Sequence, residues 1–199
     1  MRVRPLPGVA KLRDGRGLAD RNEDRVEAEA LHARRALPGI EVTALGHDDP
    51  PAEDGETFEE NARIKARFAR AHAAPGEWAV GEDSGIEATA LDGKPGVHTA
   101  RWAAGDPVRR MLAALDGLDE RRARYVCVLV ALAPDGREVV ARGTLEGAIA
   151  GSAAGVEGFG FDPVFVPVGE TATVAQLGDA WKQTHSHRAR AAAALAAAL

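Results

Sequence analysis

Residues Glu82-Asp83-Ser84 set two adjacent carboxylates and a hydroxyl between the apolar run Trp78-Ala79-Val80 and the turn-forming Gly85. Acids in that position make a poor core and a good seat for a divalent cation. Magnesium takes hard oxygen ligands, keeps several waters, and is usually held by one or two carboxylates together with substrate phosphates. Open α/β sheets place ligands just beyond the carboxyl ends of their strands, where the pattern puts these acids. A plainer reading competes for Asp83: an isolated acid also caps a turn through its own backbone.

Three more polar clusters interrupt apolar patterns. Glu53 lies in an acidic loop upstream of a helix carrying Lys65. The run Gly158-Phe159-Gly160-Phe161-Asp162-Pro163 alternates glycine with aromatic rings, and Lys182 precedes the pair His187-Arg188. Singly, each has a bland explanation. Glu53 is solvated, Lys65 snorkels, the phenylalanines belong to the core, and His187 sits on the surface near a helix start. Jointly they agree on one ligand. Two carboxylate sources hold Mg²⁺, while Lys65, Lys182 and Arg188 neutralise phosphate oxygens. Gly158 and Gly160 let backbone approach closely, Phe159 and Phe161 offer a face to a flat base, and Asp162 accepts from a base edge. Metal, cations and an aromatic platform specify a nucleoside polyphosphate. No Gly-x-x-x-x-Gly-Lys loop occurs, which argues against a P-loop NTPase.

The elements that must position these groups come from an ordinary chain of 199 residues, 45% apolar, with a net charge of −5. That length fits one domain, and the charge argues against duplex nucleic acid as partner, since phosphate neutralisation needs a basic face. Cys127 is the single cysteine, within the apolar run Tyr125–Ala133, so a buried reduced thiol is expected. No stretch has membrane-span length and no apolar leader opens the chain, so a cytoplasmic location is expected and a membrane partner is not.

Residues 1–17 are rich in Arg, Gly and Pro and lack apolar periodicity. A helix is predicted from Asn22 to Leu37 and a strand over Ile40–Leu45. Thr57 and Glu60 form a capping box for a helix to about Ala73 that buries Phe58, Ala62, Ile64 or the stem of Lys65, Phe68 and Ala69. Trp78–Val80 reads as a strand ending in the acidic turn, and Pro107 starts another helix. Arg124–Leu132 and Glu138–Ile149 form a hairpin around Pro134-Asp135-Gly136. Asp162–Val168 reads as a short strand, and the alanine-rich tail from Arg188 as a helix. The fold class is α/β, with helices against a sheet given antiparallel character by the hairpin.

Several stretches strongly resemble the inosine/xanthosine triphosphate pyrophosphatase family, the Ham1-like enzymes. They are Thr57-Phe58-Glu59-Glu60-Asn61-Ala62-Arg63-Ile64-Lys65-Ala66, Gly81-Glu82-Asp83-Ser84-Gly85-Ile86, Pro95-Gly96-Val97-His98-Thr99-Ala100-Arg101, Gly158–Pro163 and Ser186-His187-Arg188. They come in the family's order and spacing from about Ile40 to the C-terminus. The resemblance implies one domain over residues 1–199, with an elongated mixed sheet flanked by helices, two lobes, a central substrate cleft and homodimer assembly. It implies Mg²⁺-dependent hydrolysis of ITP, dITP and XTP to the monophosphate and pyrophosphate. Carried over by motif, Asp83 is the general base and a metal-linked acid, and Glu53 the other metal carboxylate. Lys65 and Ser84 contact phosphate or substrate. Phe159, Gly160, Phe161 and Asp162 form the base loop, and Lys182, His187 and Arg188 recognise the base.

The chain departs from the family near its start, where residues 1–21 are atypical. Family members usually begin with an apolar strand running into Thr-Gly-Asn-x-x-Lys, which contacts the triphosphate. Here the counterpart is Asp20-Arg21-Asn22-Glu23-Asp24-Arg25. Asn22 is kept, Arg25 stands for the lysine, and Asp20 and Asp24 add negative charge beside a polyphosphate. Weakened triphosphate binding is the expectation. Two other readings stand beside the enzyme: a nucleotide-binding protein with impaired catalysis, and a magnesium phosphohydrolase of different base preference.

Overall fold

The computed structural model of the chain describes Leu45 and residues 51–199. The predicted Asn22–Leu37 helix, the Ile40–Leu45 strand before its last residue, and the Asp20–Arg25 segment with Asn22 and Arg25 lie outside the described residues.

Helix α1 spans Phe58–His72. As the sequence predicts, the Glu60 amide donates to Thr57 Oγ1 at 3.1 Å and the Thr57 amide to Glu60 Oε2 at 3.0 Å, satisfying two donors that helix geometry leaves without partners. Its buried face is Phe58, Asn61, Ala62 and Ala66, one stripe of a 3.6-residue period. Ile64, Phe68 and Ala69, expected in that face, are only half-buried, and Asn61 takes a place no apolar pattern would assign to it.

Strands β1 (Ala79–Ala88), β2 (Arg122–Leu132), β3 (Glu138–Ile149) and β4 (Phe165–Pro167) form a sheet in the order β1-β2-β3-β4. Among the described residues every pairing is antiparallel, in keeping with the antiparallel character expected from the hairpin. The β2–β3 hairpin turns at Pro134–Gly136, as predicted, with Gly136 at φ 90°. Strand β1 corrects the expected acidic turn. It does not stop at Val80 but continues through Glu82-Asp83-Ser84, pairing Glu82 with Leu129, Asp83 with Val128 and Ser84 with Cys127.

The pleat therefore sends the two acids to opposite faces, because successive strand residues alternate. Gly81, Asp83 and Gly85 share a face with Val126, Val128 and Val130 and lie under α1, where Phe58, Ala62 and Ala66 complete a core. Glu82, Ser84 and Ile86 share the other face with Leu129, Cys127 and Tyr125. There the tail helix α5 (His187–Ala198) packs Ala191, Ala192 and Leu195 on Cys127, Leu129 and Ala141. Toward the far end, Met111, Leu115, Phe161, Val164 and Phe165 close a third core against Ile86 and Tyr125.

Helix α1 can approach β1 so closely because position 81 has no side chain: a Cβ there would lie 2.1 Å from the Ala62 carbonyl oxygen and 2.4 Å from the Ala66 amide nitrogen. Gly81→Ala is accordingly expected to force the helix off the sheet at a cost of about 3 kcal/mol, the upper end for overpacking. Chemical denaturation measures it, and a cost below about 0.5 kcal/mol would contradict this packing.

Between β1 and β2 run a one-turn helix α2 (Thr99–Trp102) and helix α3 (Pro107–Ala114), the latter capped by Asp106 and opened by Pro107 as expected. Helix α4 (Val174–His185) was not predicted. Gly178, at φ 80° and ψ 177°, breaks its path and hides its periodicity. Ser186, extended at ψ 160°, ends α4 and caps α5.

Candidate active site

On the α1 face of β1, Lys65 gathers the acids. Its Nζ lies 2.8 Å from Asp83 Oδ1 and 3.1 Å from Glu53 Oε1, and donates at 2.9 Å to the Glu82 carbonyl. Asp83 is 7% exposed, and its second oxygen accepts from Asn61 Nδ2 at 3.3 Å. Burial dominates the Asp83 carboxyl and raises its pKa above the usual carboxylate value, against the opposing pull of Lys65 and Asn61. For Lys65 the balance is reversed. Burial works against its charge, but Asp83 and then Glu53 outweigh it and hold its pKa above the ordinary lysine value. A carboxylate of raised pKa beside a retained cation is chemically suited to take a proton from water next to an anionic oxygen.

On the opposite face, Arg188 Nε donates to Glu82 Oε1 and Arg188 Nη2 to Ser84 Oγ, both at 2.8 Å. Burial opposes the Glu82 charge, yet Arg188 and the Ser84 hydroxyl bring its pKa below the usual value. Next to them, Asp162 is 5% exposed and accepts from Lys182 Nζ at 2.8 Å, from the Phe159 amide at 3.0 Å and from Tyr125 OH at 3.3 Å. Burial and then Asp162 hold the Tyr125 phenol well above its ordinary pKa, so it stays a donor. The Tyr125 ring stacks on His187 with centroids 4.8 Å apart and planes 14° from parallel. Phe159 is 60% exposed, with Lys182 Nζ 4.5 Å from its ring centroid and the Arg188 guanidinium carbon at 5.9 Å.

The sequence-predicted residues thus fall into two groups that meet at Glu82-Asp83-Ser84. Glu53, Lys65 and Asp83 lie on one side of the strand. Ser84, Phe159, Asp162, Lys182, His187 and Arg188 lie on the other, with Gly160 at φ 63° in the loop beside them. Ion pairing and packing engage three of these residues. Lys182 and Arg188, read as phosphate neutralisers, are paired with Asp162 and Glu82 on the face away from Lys65. Phe161, read as a platform for a base, is 3% exposed and packs in the core with its ring 5.8 Å from Trp102. Gly158 serves the loop itself: at φ 81°, it leaves room for the Asp162 carboxylate, whose Oδ2 would lie 2.2 Å from a Cβ there.

Asn61 and Tyr125 were missed. Asn61 lies inside the Thr57–Ala66 motif, and a polar residue in register with Phe58, Ala62 and Ala66 was the available signal. Tyr125 was masked by its apolar strand, whose pattern alone gives no reason to single it out. Cys127 is buried as expected, and burial followed by Glu82 pushes its thiol well above the ordinary pKa, which disfavours the reactive thiolate. Among the described residues no helix is long and apolar enough to cross a membrane.

An α/β scaffold carries an acid–lysine cluster on one face of a strand, with hard oxygen donors for a cation, and an aromatic, ion-paired cluster on the other. The sequence model of the Ham1 family matches residues 18–198, and the chain belongs to that family. A dITP/XTP pyrophosphatase of Bdellovibrio bacteriovorus is 41% identical over 82% of this chain and 87% of its own length. One from Symbiobacterium thermophilum is 45% identical over 88% and 90%. Among solved structures, the Ham1 protein of Staphylococcus aureus superposes with a TM-score of 0.70 at 37% identity, covering 75% of this chain and 80% of that one. A HAM1 protein from Coxiella burnetii gives a TM-score of 0.74 at 30% identity over 86% and 92%.

Proposed function

We propose that this protein hydrolyses deaminated purine nucleoside triphosphates, ITP, dITP and XTP, to the monophosphate and pyrophosphate, cleansing the nucleotide pool. It is a hydrolase acting on acid anhydrides. The observation that carries the mechanism is the buried Asp83 carboxylate, of raised pKa, held 2.8 Å from Lys65 Nζ. Family membership and relatives named dITP/XTP pyrophosphatase support the substrate class.

In this reading the oxygen of a water attacks the α-phosphorus in line while Asp83 takes its proton. The bridging bond to the β-phosphate breaks, and pyrophosphate leaves with its negative charge partly neutralised by Lys65. Glu53 and Asp83 would hold Mg²⁺, which supplies charge neutralisation on the polyphosphate. The donors fit such an ion. Both are hard carboxylates that lie within 3.1 Å of one ammonium. That suits a cation shared with substrate phosphates.

The base is read on the opposite side of β1, by the Phe159 ring and the donors of His187 and Arg188. A donor aimed at the six-position oxygen of hypoxanthine or xanthine leaves the amino group of adenine unpaired, which rejects ATP. Residues 1–199 act as one domain, working as a cytoplasmic homodimer; the family resemblance supports the assembly. The altered Asp20–Arg25 segment favours one second reading, a nucleotide binder of impaired catalysis.

Incubation with Mg²⁺ and ITP, XTP, dITP, ATP or GTP decides between them. Pyrophosphate from the first three alone is the expected result. Binding without turnover would support the impaired form, and equal turnover of ATP or GTP would point to a different base preference.

A further inference from the structure

We propose that Asn61 is a positioning residue that ties the Glu53 loop to the Asp83 carboxylate, holding the two acids of the site as one unit. Asn61 is 1% exposed, on the buried face of α1 one turn before Lys65. Its Oδ1 accepts from the Gly55 amide at 2.9 Å, two residues after Glu53, and its Nδ2 donates to Asp83 Oδ2 at 3.3 Å. The amide orientation follows from chemistry. An ionised carboxylate only accepts and a backbone N–H only donates, so a single planar group with one acceptor and one donor bridges them.

The loop is shaped for this contact. A Cβ at position 55 would lie 2.7 Å from Glu60 Cβ and 2.8 Å from Asn61 Oδ1, so only glycine brings its amide so near. On the other side of Glu53, Arg101 Nη2 donates to the Glu53 carbonyl at 3.1 Å, which gives the Pro95–Arg101 motif a place in the same assembly. Lys65 links the Glu53 and Asp83 side chains directly, and Asn61 adds a backbone-to-side-chain link. Asp83 thereby has each oxygen held by a different residue of α1, spaced i and i+4. Side chains that orient ligating carboxylates are worth about 10–100-fold in metal affinity or activity, and Asn61 has that relation to both acids.

The inference rests on the reading of Glu53 and Asp83 as the working pair, and its test separates the two. Asn61→Leu removes both hydrogen bonds at similar volume; Asn61→Asp keeps the acceptor for Gly55 and loses the donor to Asp83. In Asn61→Leu, the Gly55 amide is expected to exchange with solvent about 10-fold faster or more, and Mn²⁺ affinity, read by electron paramagnetic resonance, to fall about 10-fold. The kcat for ITP is expected to fall about 10–100-fold with KM within about threefold. In Asn61→Asp, Gly55 protection stays close to that of the unsubstituted protein while kcat stays at least about 10-fold down. Unchanged Gly55 exchange in a folded Asn61→Leu protein would overturn the proposal. If that variant does not fold, kcat of Asn61→Asp within about threefold of the unsubstituted protein would overturn it. Should the unsubstituted protein release no pyrophosphate, the proposed activity fails by itself, and Gly55 exchange in the two variants still decides whether Asn61 tethers the loop.

Discussion

Asp83→Asn is expected to cut pyrophosphate release from ITP by about 10²–10⁴-fold, the range for losing a general base. The substitution is nearly isosteric, and Lys65 keeps Glu53 and the Glu82 carbonyl as partners, so the cluster does not collapse. The pH profile adds a second signature. Asp83 must be ionised to accept the proton, so kcat/KM falls as pH drops through its pKa. In the metal-free protein burial raises that pKa above the usual carboxylate value, and a bound Mg²⁺ would pull it back down. The linkage has a matching sign. A carboxyl whose folded pKa exceeds its unfolded value loses stability as pH rises through that window, because the unfolded chain ionises first. Steady-state pyrophosphate assays from acid to neutral pH on both proteins check this. Asp83→Asn retaining more than about a tenth of the parent kcat would remove Asp83 from the role of base.

The second large effect is on stability and lies across the strand. Asp162→Ala is expected to cost about 3–5 kcal/mol, the range for stripping one partner from a buried ion pair. Lys182 and Asp162 have side chains each 8% exposed, and the same carboxylate accepts from Tyr125 and the Phe159 amide. Asp179, 3.7 Å from Lys182 but 68% exposed, gives the stranded ammonium only a solvent-screened substitute. The further change Lys182→Met should recover most of the loss, since the penalty is an uncompensated charge rather than a missing volume. Urea unfolding of both variants measures it. A loss under about 1 kcal/mol, or no recovery in the double variant, would mean that Asp162 does not tie α4 to the Phe159 loop and Tyr125.

Much of this was written locally. The Thr57–Glu60 capping box, Pro107 at the start of α3 and the Pro134–Gly136 turn are short-range signals, and the structure forms each where the residues put it. What failed depended on tertiary neighbours. Glu82-Asp83-Ser84 looked like a turn because three polar residues seldom cross a packed strand. They cross one here because Arg188, Lys65 and Asn61 supply partners from helices distant in sequence. The same blindness hid the carboxylate partners of Lys182 and Arg188, Asp162 and Glu82, which no spacing rule reveals. Gly178 hid α4 by breaking its period, and Phe161 looked like a platform because a ring beside glycine reads alike in a core and at a ligand. The gathering of Glu53, Lys65 and Asp83 was legible, because buried charges need partners.

Hydrolysis of ITP in ¹⁸O-labelled water with Mg²⁺, followed by mass spectrometry of the products, shows which phosphorus the water attacks. Attack at the α-phosphorus by water deprotonated by Asp83 puts one label in the monophosphate and none in pyrophosphate, with the rate lost in Asp83→Asn. Label in pyrophosphate, release of inorganic phosphate from the terminal position, or unchanged turnover in Asp83→Asn would contradict it.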